Sequence, residues 1–205
     1  YFELAAKNNV PEALYFMGYY HSTDEVFDTD INKAIDFYER CTKADSCTLH
    51  LDDPHNGVSV TFYHYNAYKN ISYNDLGLIY LLVLGDQKKA QENIKEAAFA
   101  EYPFAQNNFG LINQLYLNKP ERAEQMYESA TKNNFAMAEF NLGQIREKEG
   151  KIEESINYYI KASDHQDEDV TYKNVIVYYK RLDISKSFIL CLTNLKLTKH
   201  YLMKS

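Results

Sequence analysis

The chain has 205 residues, 45% of them hydrophobic, which is enough for a sizeable core and too many for a disordered chain. Only 7 Gly and 4 Pro are present, which argues against an all-β protein full of tight turns and for helices joined by short loops. A net charge of -7 sets the whole-protein field against nucleic acid and anionic membrane, and no dense Lys/Arg run offsets it.

The chain opens at Tyr1, within a helical pattern, and so reads as a piece of a longer protein in which further repeats precede it and any signal peptide is out of view. From there the sequence repeats itself. Residues Phe2 to Gly18 read FELAAKNNVPEALYFMG, Ile94 to Gly110 read IKEAAFAEYPFAQNNFG, and Tyr127 to Gly143 read YESATKNNFAMAEFNLG, each running 16 positions without a gap. Ala5, Ala97 and Ala130 coincide, as do Ala13, Ala105 and Ala138. Gly77, Gly110 and Gly143 are spaced by 33 and 33, while Gly85, Asn118 and Gly150 are spaced by 33 and 32. Two sets of positions thus give one period.

Each unit reads as helix, tight turn, helix, short loop. Ala138, Leu142 and Ile145 share one helix face, and the Gly on it lets a second helix approach closely. Gly85, Asn118 and Gly150 follow helical runs where a left-handed stop is needed. The second helices carry Ala90, Ala123 and Ser155, and the last of them aligns Ile152, Ile156, Tyr159 and Ile160 in a stripe. One pair cannot bury its apolar face alone, but stacked pairs can. The apolar stretch at Leu76–Leu84 is about half the ~20 residues of a membrane span, so it reads as a core helix.

MAEFNLG at Met137–Gly143 and AEQMYESA at Ala123–Ala130 resemble the Sel1-like repeat family, a relative of the tetratricopeptide repeat. Glu12–Gly18 and Ala34–Cys41 carry the same pattern more loosely, and the resemblance covers most of Tyr1–Tyr179. It implies an all-α, right-handed superhelix of antiparallel helix pairs over residues 1–205, serving as adaptor or scaffold for a protein or peptide partner, and no enzyme. It implies no cofactor. A fixed place in a larger assembly is the alternative role, with docking through the insertion described next and the last helix; a metal-binding or enzymatic domain built around the insertion is the third and least favoured reading.

The period breaks at an irregular insertion near 42–71. Tyr38 to Gly77 spans 39 residues where the other units need 16, so about 23 are added. Cys47–Tyr65 has turn residues flanked by alternating β-formers, which fits a hairpin, or equally a loop with a short helix. Cys41, Cys47, His50 and His55 lie close enough in sequence to suggest zinc, but the spacing matches no zinc fold, and Cys41 falls at a packing position; an ordinary insertion is the reading adopted. Three cysteines make no disulfide framework, which favours a reducing compartment such as the cytoplasm. Residues 184–204 read as a long capping helix.

The first helix of each pair is expected to line the groove. Counting back three from the repeat glycine selects Tyr15, Asn74, Asn107, Phe140 and Tyr172; one residue after it selects Tyr19 and Gln144, among others. Stacked Asn74 and Asn107 would hydrogen-bond an extended backbone, and the aromatic residues would anchor it. Charged clamps are absent from these positions, so an internal peptide or a helix is expected rather than a C-terminal carboxylate.

Overall fold

The computed structural model describes residues 2–23, 26, 28–44, 48–52, 59–63 and 67–165. Along them run α1 (Phe2–Lys7), α2 (Pro11–Ser22), α3 (Ile31–Lys43), β1 (Thr48–Asp52), β2 (Ser59–Tyr63), α4 (Ala67–Leu82), α5 (Gln87–Phe99), α6 (Pro103–Leu115), α7 (Pro120–Thr131), α8 (Ala136–Lys148) and α9 (Ile152–Asp164). The fold class is all-α, a repeat solenoid of antiparallel helix pairs: α2/α3, α4/α5, α6/α7 and α8/α9. The insertion holds an antiparallel β1–β2 ladder, with Leu49 opposite Phe62 and Leu51 opposite Val60. Its non-helical stretch is shorter than 42–71, because α3 continues to Lys43 and α4 begins at Ala67. Residues 184–204, with Tyr172, Cys47 and His55, lie outside the described residues.

Helix starts follow simple chemistry. Pro11, Pro103 and Pro120 open α2, α6 and α7, where the missing N–H has no partner to lose. Asp30 and Asp86 cap α3 and α5, accepting from the backbone N–H of Lys33 (3.1 Å) and Lys89 (3.0 Å). The stops fall where the sequence asks for them: Gly85 (φ 69°), Asn118 (φ 50°) and Gly150 (φ 77°) are left-handed. A second left-handed set, Asn9 (φ 56°), Glu101 (φ 60°) and Asn134 (φ 55°), follows α1, α5 and α7. At Glu101 the N–H groups of residues 101 and 102 return to the carbonyls of Ala98 (3.2 Å) and Ala97 (3.1 Å), a Schellman closure.

The chain divides into two compact units, Tyr1–Phe109 and Gly110–Ser205. In the first, Ala6, Ala13, Leu14, Met17 and Cys41 form a buried cluster with Tyr15, Phe37 and Tyr68 packed against it. Gly18 lies under the Tyr38 ring, and Gly77 lies under Ile94. In the second, Gly110 lies under Tyr127 and Gly143 under Tyr159; a Cβ on either glycine would stand 2.5 Å from the ring. The repeat glycines therefore have like surroundings, each covered by one large side chain from the second helix of its own pair.

The covering residue is matched in turn by the residue four after the glycine. The Tyr127 hydroxyl donates to Gln114 (2.8 Å), the Tyr159 hydroxyl donates to Glu147 (2.6 Å), and the Tyr38 hydroxyl sits 3.5 Å from that of Ser22. Where Ile94 replaces the tyrosine, the same position is the apolar Leu81. Each second helix also buries two small residues seven apart: Ala34/Cys41, Ala90/Ala97, Ala123/Ala130 and Ser155/Ala162. By contrast, Ile152, Ile156 and Ile160 of the expected stripe are about half exposed, at 53%, 50% and 50%. Arg146, on α8, is held among three carboxylates: Glu124, Glu149 (3.3 Å) and Glu154 (3.2 Å).

Candidate protein-binding face

A helix turns about 100° per residue, so the position three before the repeat glycine lies only about 60° from it. It borders the packed side and does not point away from it. Asn74, Asn107 and Phe140 are accordingly buried, each 4% exposed, and do not form the expected exposed ladder. Asn74 is used internally: its amide donates to Asp75 (3.0 Å), and its carbonyl accepts from Asn108 (2.8 Å). Tyr15, Tyr19 and Gln144 keep partial exposure.

The position opposite the glycine is two residues before it, about 160° round the helix. There the chain has Phe16, Asp75, Asn108 and Asn141. Within the first unit this face gathers aromatic rings from several elements. Tyr15 lies 5.5 Å from Tyr68, 6.0 Å from Tyr38 and 6.5 Å from Tyr19, centroid to centroid; Phe16 lies 6.0 Å from Tyr68 and 6.2 Å from Tyr20. Tyr15, Phe16, Tyr19, Tyr20 and Tyr68 are all half-buried, apolar in body and open at one side. At the rim the Tyr68 hydroxyl donates to Glu12 (3.0 Å).

Comparison with known proteins gives the fold a family setting. The tetratricopeptide repeat model matches residues 140–164. The crystal structure of a Sel1 repeat protein from Oxalobacter formigenes superposes with a TM-score of 0.60 at 23% identity, over 80% of this chain and 62% of that one. The crystal structure of MamA superposes with a TM-score of 0.50 at 19% identity, over 79% of this chain and 81% of that one. A search of curated proteins finds no match. The chain has the fold of Sel1-like and tetratricopeptide-like repeat proteins, and one stretch of it, residues 140–164, matches the tetratricopeptide repeat. It spans 62% of the length of the Oxalobacter structure.

A carboxylate of the first unit lies within electrostatic reach of several of its tyrosines. Asp75 has its carboxyl pushed up from 3.8 to about 6, because burial strips its water and the single amide of Asn74 only partly offsets that. Burial, and then the Asp75 charge, push the hydroxyls of Tyr15, Tyr38 and Tyr102 above the usual phenol range. The Asp75 charge is thus felt by tyrosines of α2, α3 and the residue preceding α6. Among the described residues no Lys, Arg or His forms an ion pair with it. Asp75 is one position from the register chosen in the sequence, and the signal that would have found it is the Asp75/Asn108/Asn141 series at spacings of 33 and 33.

Of the four metal candidates, Cys41 and His50 lie among the described residues. Cys41 occupies the small-residue position of α3, is 0% exposed, and donates its thiol hydrogen to the Pro11 carbonyl (3.2 Å). Burial pushes that thiol up, away from the thiolate a metal requires. His50 is paired by its backbone with Thr61 in the hairpin. Among the described residues no group of three or more His, Cys, Asp or Glu is placed to hold a metal ion. No described helix is long and apolar enough to cross a membrane.

Proposed function

We propose that this chain is a protein-interaction module, an adaptor or scaffold, that binds a partner polypeptide along the face built by its first helices. Repeat folds of this class serve protein–protein interaction generally. What supports the reading here is the half-exposed aromatic patch of α2 and α4. Rigid aromatic side chains give large contact area for little lost conformational freedom, and they are enriched where interfaces concentrate their energy. The recurring glycines and small residues are packing residues, so the aromatic patch is the part of α2 and α4 left to meet a partner.

The test is capture of partners by the wild-type chain beside a Tyr19→Ser/Tyr68→Ser variant, quantified by mass spectrometry. The variant is expected to keep its circular dichroism spectrum and to lose the wild-type partners. Equal capture by both would refute this use of the face.

A further inference from the structure

We propose that the isoleucine flank of α9 is a docking site for one helix, and that its occupant is a segment of this same chain, residues 169–181, which lie outside the described residues. The inference is independent of the aromatic face and concerns the opposite end of the array.

Ile152, Ile156 and Ile160 recur every fourth residue, so they form one stripe along α9, and each is about half exposed. The earlier second helices show what that flank faces. Aligning the small buried residues Ala34, Ala123 and Ser155 puts Glu39 of α3 at the place of Ile160 and Glu124 of α7 at the place of Ile156. Glu39 accepts a hydrogen bond from the Tyr80 hydroxyl of α4 (3.3 Å), and Glu124 pairs with Arg146 of α8. Tyr80 and Arg146 stand at one register, three residues after the repeat glycine of their own helix. The flank is therefore the one by which a second helix holds the first helix of the next unit. In α3, which packs against α4, the first two places of the stripe are also isoleucines, Ile31 and Ile35, and both are partly buried. On α9 the carboxylates are replaced by Ile156 and Ile160, so the occupant must bring an apolar body where α4 and α8 bring Tyr80 and Arg146. The sequence supplies one. First helices α6 and α8 begin at Pro103 and Ala136, and the same step of 33 residues leads to 169–181, with Tyr179 at the register of Arg146. Tyr172, Ile176 and Tyr179 have the spacing of one helix face. The segment belongs to the same compact unit as α9, Gly110–Ser205, and is tethered a few residues from its end, so it meets the stripe at an effective concentration of about millimolar. A second copy of the chain fits less well, since three half-exposed side chains fall far short of the about 800 Å² that each partner of a stable dimer contributes.

The experiment uses the full 205-residue chain with the photo-reactive residue p-benzoylphenylalanine at position 156, prepared as a mixture of light and isotopically heavy chains. The control places it at Asn157, which is exposed and about 100° further round the helix. Crosslinks from position 156 are expected to land on residues 169–181 of the same chain, and those from position 157 are not. Crosslinks from position 156 that land instead on residues 184–204 or on a second copy, or a yield to 169–181 no higher than from position 157, would overturn the assignment. Hydrogen exchange of the Ile156→Asn/Ile160→Asn chain gives a second reading without the bulky probe. Both residues are half exposed, so α7 and α8 should keep their protection, while the amides of 169–181 should exchange about tenfold faster or more than in the wild type. Exchange of 169–181 unchanged by the two substitutions would also overturn it.

Discussion

A carboxylate held with one neutral hydrogen-bond donor should reveal its cost when it is removed, and Asp75 allows that to be worked out. Its carboxyl titrates near 6 in the folded chain against an ordinary 3.8, so 6 − 3.8 gives about two units, or about 3 kcal/mol, by which burial disfavours the charged form at neutral pH. The folded value lies above the unfolded one. The folded chain therefore holds the proton more tightly, and the wild type gains stability as pH falls through 6 towards 3.8, while it bears the whole penalty above 6. Asp75→Asn removes the charge and keeps the shape. Its new amide hydrogens need acceptors, which takes back about 1 kcal/mol. The variant should then be more stable than wild type by roughly 1–2 kcal/mol at about pH 7.5, or roughly 2–6 °C in Tm for a chain of this size. Near pH 5 the wild type recovers about 1.4 kcal/mol, so most of the difference should close. Thermal melts followed by circular dichroism at the two pH values, without partner, measure both quantities. Equal melting near pH 7.5, or a difference that does not move with pH, would refute the unpaired, desolvated carboxylate.

Gly110→Ala places a methyl 2.5 Å from the Tyr127 ring, which is 0% exposed and has nowhere to go, so the strain should exceed the helix-propensity gain and lower stability by roughly 1–3 kcal/mol in denaturant melts; Tyr127→Leu in the same chain should recover part of it. Glu101 holds φ 60° with a side chain that gains nothing from it, so Glu101→Asn, the residue used at the equivalent Asn9 and Asn134, should raise stability by roughly 0.5–1 kcal/mol in the same melts. Ile94→Tyr alone would bury a hydroxyl against Leu81 and should cost about 1–3 kcal/mol, while Ile94→Tyr with Leu81→Gln restores the pairing of the neighbouring units and should regain part of the loss. A Leu81→Gln/Ile94→Tyr pair no more stable than Ile94→Tyr would show that the matching of covering residue and partner is incidental.

The repeat was legible because its period is enforced at the closest contacts. Gly77, Gly110 and Gly143 recur since a Cβ there would strike Ile94, Tyr127 or Tyr159, and Gly85, Asn118 and Gly150 recur since the chain turns left-handed at each. The second left-handed set went unread because one of its three members is Glu101, whose type gives no hint of its backbone. The groove was misplaced by an angle: three residues back from the glycine is only about 60° round the helix, so Asn74 and Asn107 fell on the packed flank. Strand pairing in the insertion depends on contacts between distant residues, and composition left hairpin and loop equally placed.

The same geometry explains why a repeat protein hides its function from its own repeat. Positions that touch the partner helix in every unit must be alike, and their likeness reports only the stacking. Positions off that contact carry no such demand, so Phe16 and Asp75 stand in α2 and α4 where α6 and α8 have the buried Asn108 and Asn141. A difference there is tolerated by the fold and, at Asp75, opposed by it, because a desolvated carboxylate is a cost that the amide of neighbouring Asn74 offsets only in part.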